Sequence, residues 1–127
     1  MPRFVILRHE TPAGYERGLH WDLMLEAGEA LRTWALAAEP AWGDPIEGDA
    51  LPDHRLAYLD FEGEVSGGRG VVSRWDGGAF RWMEQKSEKL VAELCGGRGS
   101  YSVTLEPELV GGTRWRVLFR QSAAGDD

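Results

Sequence analysis

From Val71 onward the chain offers only short extended patterns cut by turn signals: Val71 to Trp75, Ala79 to Glu84, Lys89 to Cys95, Ser100 to Glu106 and Thr113 to Arg120. Asp76-Gly77-Gly78 and Gly96-Gly97-Arg98-Gly99 punctuate them. Strands spaced so closely, in a chain with 17 glycines and no long segment of helical period, specify an all-β, mainly antiparallel sandwich or barrel. Only Ser87 to Leu94 fits a short helix as well as a strand. A chain of 127 residues buries one core and no second one. The expectation is a small single-domain β-barrel over residues 1–121, with long loops, at most one short helix, and a frayed acidic tail at 122–127.

The first half follows the same grammar. Phe4 to His9 reads as a strand rich in β-formers and ended by Thr11-Pro12-Ala13-Gly14. His20 to Glu26, Leu31 to Leu36, Asp53 to Tyr58 and Phe61 to Val65 continue it, and the Pro-, Gly- and acid-rich stretch Ala37 to Pro52 reads as a long loop. Trp21, Trp34, Trp75, Trp82 and Trp115 sit in strand patterns as core groups, which leaves Trp42, alone in the loop, as the tryptophan available to a ligand. Ser66-Gly67-Gly68-Arg69-Gly70 lacks the ending and the following helix of a phosphate-binding loop, so its glycines serve turns and bulges.

Chemistry concentrates in His20-Trp21-Asp22-Leu23-Met24-Leu25-Glu26. Strand alternation puts His20, Asp22, Met24 and Glu26 on one face and Trp21, Leu23 and Leu25 on the other. His-x-Asp places two metal-competent or acid/base groups one pleat apart. If the first two strands form a hairpin, His9 at the end of one meets His20 at the start of the next. His54, Leu56 and Tyr58 share a face further on.

Charge and composition narrow the partners. With 14 Lys+Arg against 21 Asp+Glu, the net charge of −7 opposes coating of a polyanion. A local arginine cluster still acts on a single phosphate within a Debye length of roughly 10 Å. No run of about 20 apolar residues and no charged-then-apolar leader is present, so no membrane partner is expected. The single cysteine, Cys95, lies in the apolar run Leu90 to Cys95 and reads as a buried small side chain in a reducing cytoplasm.

The order His9, His20-Trp21-Asp22, Leu25-Glu26, Thr33-Trp34-Ala35-Leu36, Asp53-His54-Arg55-Leu56-Ala57-Tyr58, Phe61-Glu62-Gly63, Gly70-Val71-Val72 and Trp75-Asp76-Gly77 resembles the 3′-phosphoesterase domain of bacterial DNA ligase D. The resemblance runs over almost the whole chain, through Trp115-Arg116-Val117-Leu118-Phe119. It implies a compact β-barrel-like domain that uses manganese to remove a 3′-terminal ribonucleoside and then the remaining 3′-phosphate. By the same resemblance His9, His20 and Asp22 match metal ligands, His20, His54 and Tyr58 serve catalysis, and His54 and Tyr58 flank the scissile phosphate. The family domain is usually fused to ligase and polymerase modules; here such a partner is expected in trans.

Four positions depart from the family pattern. Met24 stands where an arginine would hold a phosphate bidentately. Leu7 replaces a glutamine, Ala37-Ala38-Glu39 lacks a lysine, and Pro52 replaces an acid. Arg32, Arg55, Arg69 and Arg74 are the candidates to supply the missing cation.

The leading reading is a metal-dependent phosphoesterase acting on nucleic-acid 3′ ends in DNA repair. Two histidines and an aspartate suit Mn²⁺, Fe²⁺ or Zn²⁺, and the resemblance favours manganese. A second reading is a non-catalytic metal- or anion-binding module that holds a nucleic-acid end or a protein partner. A third, a two-His-one-carboxylate iron oxygenase, fits the donor set but not the order of the other motifs.

Overall fold

A computed structural model of the chain describes residues 1–122. Its strands are β1 (Arg3–Glu10), β2 (His20–Ala27), β3 (Ala30–Leu36), β4 (Ile46–Arg55), β5 (Gly63–Glu64), β6 (Val71–Lys86), β7 (Lys89–Gly96), β8 (Gly99–Pro107) and β9 (Arg114–Gln121). One 3-10 turn, Leu56–Leu59, is the only helical element among the described residues. The strands form a single sheet in the order β1-β2-β3-β4-β9-β8-β7-β6-β5, and an extra β1–β6 pairing closes it into a ring. Neighbouring strands run antiparallel throughout, as the closely spaced turns require. The all-β expectation holds.

Pleat alternation divides the apolar residues between two clusters. Phe4, Ile6, Trp21, Leu23, Leu25, Trp34, Leu36, Val117 and Phe119 point into the ring with the inward residues of β6 to β8. Val5, Leu7 and Met24 point the other way and pack with Leu31, Leu59, Val65 and Val72 beneath the 3-10 turn. Both faces of β1 and β2 are therefore buried, which explains why they read as nearly continuous apolar runs. The smaller outer cluster carries the polar end of that face, where His9, His20 and Asp22 lie.

Several expectations are corrected. Part of the supposed loop Ala37 to Pro52 is strand: β4 begins at Ile46 and pairs with β3 and β9. Its inward residues, Ile46 and Gly48, are buried, and a Cβ on Gly48 would come within 3.0 Å of Val117. A glycine in an inward position hides the alternation from a hydropathy reading. The Trp42 ring packs edge-on to Tyr101 at 5.1 Å and stays 42% exposed.

Asp76-Gly77-Gly78 is not a turn but the middle of the 16-residue strand β6. The first half of β6 pairs with β1 and β5 and the second half with β7, around a bulge opposite Ile6/Leu7. Gly78 is needed for close approach, since a Cβ there would sit 2.0 Å from the Cys95 carbonyl oxygen. Lys89 to Cys95 belongs to a strand, so the helical alternative falls: Leu90, Ala92 and Leu94 are buried on one face. The opposite face carries Cys95, which is exposed rather than buried. Asp53 to Tyr58 is not one strand, because β4 ends at Arg55 and the chain turns through the 3-10 segment. Of the tail expected to fray, Ser122 donates its N–H to Ser100 O at 3.0 Å, and residues 123–127 lie outside the described residues.

Candidate metal and phosphate site

The β1–β2 hairpin aligns His9 directly with His20 and Leu7 with Asp22. The two imidazole centroids are 4.6 Å apart. His9, His20 and Asp22 each offer a ligand atom, and these atoms lie within 4.8 Å of one another, so the group could hold a metal ion. The hairpin expected from the sequence thus brings together the three residues it was expected to bring together.

Backbone carbonyls orient both rings. His20 Nδ1–H donates to Gly18 O at 2.7 Å, which turns Nε2 toward Asp22 Oδ1 at 3.2 Å. His9 Nε2–H donates to Arg69 O at 2.8 Å, which turns Nδ1 toward Asp22 Oδ2 at 3.1 Å. Orientation of a ligand imidazole by a carbonyl on its far nitrogen is the common arrangement around metals. Arg69 is brought there by the glycine-rich turn. Gly70 has φ +104 and passes so close to β1 that a Cβ would lie 2.0 Å from Glu10 O, which excludes any side chain at this position.

The carboxylate is buried and poorly satisfied. The His20 contact lacks hydrogen-bond alignment, so Asp22 Oδ1 has no hydrogen-bond partner. Burial pushes the Asp22 carboxyl up, but the imidazoles of His20 and then His9 outweigh it and hold it below its ordinary value. The hydrogen bond to Asp22 in turn raises His9 above its ordinary value. Two near-side nitrogens and a buried anionic oxygen without a hydrogen-bond partner suit a divalent cation, which would bind them in place of a proton.

His54 and Tyr58 line the same cleft as these three residues, in a volume of about 440 Å³. Leu31 pairs with His54 at the end of β4, and the 3-10 turn folds Tyr58 back until the two rings meet edge-on at 5.6 Å. They are neighbours because the strand stops, not because it continues. His54 Nδ1–H donates to Pro52 O at 2.9 Å, leaving Nε2 as its lone-pair nitrogen.

The cleft also contains residues that the sequence reading passed over: Tyr15, Glu16 and Arg17, from the β1–β2 connection. The adjacent pair Glu16-Arg17 between two strands bearing chemistry was the available signal. Of the arginines named as candidates, Arg69 lines the cleft. Arg32 lies over the Trp34 ring, Arg74 donates to Leu59 O, and Arg55 lines a neighbouring hollow instead. Met24, on the cleft floor, is fully buried in the outer apolar cluster.

A family model described as the DNA ligase D 3′-phosphoesterase domain matches residues 8–113. Among curated proteins, the chain is 30% identical over 121 residues to the multifunctional non-homologous end joining protein LigD of Pseudomonas aeruginosa. That similarity covers 91% of this chain and 13% of the relative, so the chain corresponds to a small part of that protein. The match spans β1 through the approach to β9, including all five residues of the cleft singled out from sequence, and the chain belongs to the DNA ligase D 3′-phosphoesterase domain family.

Proposed function

We propose that the chain is a divalent-cation-dependent phosphoesterase that heals nucleic-acid 3′ ends, removing a terminal ribonucleoside and then the 3′-phosphate. The observation that carries this reading is the convergence of His9 Nδ1, His20 Nε2 and the unsatisfied Asp22 Oδ1 at one wall of a cleft that also holds His54 and Tyr58. His9, His20 and Asp22 would hold the ion, with manganese favoured and zinc or iron compatible with the donors. Bound there, it would polarise phosphoryl oxygens and stabilise charge in the transition state.

The protein's own groups do the rest. The carbonyls of Gly18 and Arg69 hold both ligand rings in one orientation. In the first step water attacks phosphorus and the bond to O5′ of the terminal nucleoside breaks; in the second, the bond to O3′ breaks. His54, its Nδ1–H tied to Pro52, acts as an imidazolium that delivers its Nε2 proton to the leaving oxygen and regains one from the attacking water, and Tyr58 donates a hydrogen bond to a phosphoryl oxygen. The products are the released nucleoside, inorganic phosphate and a 3′-hydroxyl end. In this reading the protein works in the cytoplasm, and a ligase or polymerase in trans would consume the 3′-hydroxyl.

The test uses a labelled primer-template ending in a ribonucleotide or a 3′-phosphate, with and without Mn²⁺. Asp22→Asn, which keeps shape and loses charge, is expected to lower turnover at least about 100-fold and to weaken Mn²⁺ binding measured by calorimetry. Full activity in Asp22→Asn overturns the metal assignment. Tight binding of 3′ ends with no turnover under any divalent ion would instead favour the non-catalytic binding module.

A further inference from the structure

Arg17 is the guanidinium best placed to meet a phosphate in this cleft. Its backbone is fixed: Thr11 Oγ1–H donates to Arg17 O at 2.7 Å and Tyr15 N–H to Pro12 O at 3.1 Å, so the β1–β2 connection is a tied loop. Its side chain is 33% exposed and reaches both the cleft and an adjoining hollow that ends at Arg114. The other arginine of the cleft, Arg69, is folded back on its own turn, with Nε on Ser66 O at 2.7 Å and Nη2 on Ser66 Oγ at 3.3 Å. Arg17 is held through Nη1 by Asp49 Oδ2 at 2.7 Å, from a neighbouring strand.

Charge in the cleft points the same way. With the histidines neutral, Arg17 and Arg69 balance Glu16 and Asp22. A divalent cation on the histidines and Asp22 leaves the lining at two positive charges, the complement of a phosphate monoester dianion. A planar fork that binds phosphate oxygens in pairs is what the cleft otherwise lacks, because its β2 strand presents Met24.

We propose that Arg17, presented by the β1–β2 loop and held by Asp49, binds the terminal phosphate of the substrate opposite the His9–His20–Asp22 group and sets the preference for phosphorylated 3′ ends. This rests on the phosphoesterase reading of the same site. Asp49 acts as a competitor: the tied loop keeps the guanidinium at the cleft, and the carboxylate must share it with the phosphate.

The experiment measures binding of two fluorescent oligonucleotides to the Mn²⁺-loaded protein by anisotropy. One ends in a non-hydrolysable 3′-methylenephosphonate and the other in a 3′-hydroxyl. Wild type is expected to prefer the phosphonate. Arg17→Ala should lose about tenfold to a hundredfold of that preference, the range for a hydrogen bond to a charged group, and Arg17→Lys, which keeps charge without the fork, should recover part of it. Asp49→Asn should raise the preference.

A purely structural Arg17–Asp49 pair predicts that Arg17→Ala and Asp49→Asn fall together, and that result overturns the proposal. So does an Arg17→Ala protein that keeps the wild-type preference. If wild type itself does not distinguish the two ends, the phosphoesterase reading fails, and this inference fails with it. Thermal unfolding run alongside should show both variants folded, since a surface ion pair contributes little to stability.

Discussion

At the residue scale, His-x-Asp on a strand and a histidine at the end of the preceding strand were legible because a hairpin leaves little choice of register. The nitrogens that face the carboxylate were not legible. They depend on the carbonyls of Gly18 and Arg69, and Arg69 is 60 residues from the histidine it holds. Met24 was legible as a departure from the family pattern, but its surroundings were not. It is 1% exposed and packs with Val5, Leu7 and Leu31. Met24→Arg is therefore expected to bury a guanidinium among aliphatic side chains, at a cost of about 3–5 kcal/mol, comparable to breaking a buried ion pair. Urea unfolding checks it: the midpoint should fall clearly. A variant as stable as wild type would mean that the guanidinium head reaches the cleft, and its affinity for phosphate should then rise.

At the element scale, the strands that announce themselves are those with an apolar residue at every inward position, as in β2, β7 and β8. The misread elements are those where glycine occupies such a position. In β4, Gly48 fills an inward site against Val117 and Leu36, so the strand read as loop. In β6, Gly77 and Gly78 looked like a turn because turns are where paired glycines usually occur. Here close packing requires them: β6 leaves β1 at this point and joins β7, with Gly78 opposite Gly96. Gly78→Ala must push β6 away from the Cys95 carbonyl, and is expected to cost about 1–3 kcal/mol by overpacking. Amide hydrogen exchange should show the loss first in the facing parts of β6 and β7. Unchanged protection there would mean that the two backbones are not in the contact described.

At the scale of the whole molecule, an all-β composition was legible, but closure was not, because the β1–β6 pairing joins segments about half the chain apart. Tyr101 shows what that closure requires. Its ring packs against Phe4 of β1 and Phe119 of β9, and its hydroxyl donates to Asp76, where β6 changes partners. Asp76 Oδ1 also accepts the Gly97 N–H at 2.8 Å, so one buried carboxylate ties the β7–β8 turn to the strand that closes the ring. Tyr101→Phe removes a donor from a buried acceptor and is expected to cost about 1–3 kcal/mol. Burial, then the hydrogen bond to Asp76, push the Tyr101 phenol well above its ordinary value of 10.0. The unfolded chain therefore loses this proton first as pH rises. The contribution of Tyr101 is fully present below pH 10.0 and declines as the pH climbs from there toward the raised folded value. Stability measured by denaturant at pH 8 and pH 11 in both proteins isolates the effect, since other alkaline titrations are common to both. The gap between wild type and Tyr101→Phe should narrow at the higher pH; a constant gap would mean that the folded phenol ionises like a free one and that Asp76 does not hold its proton.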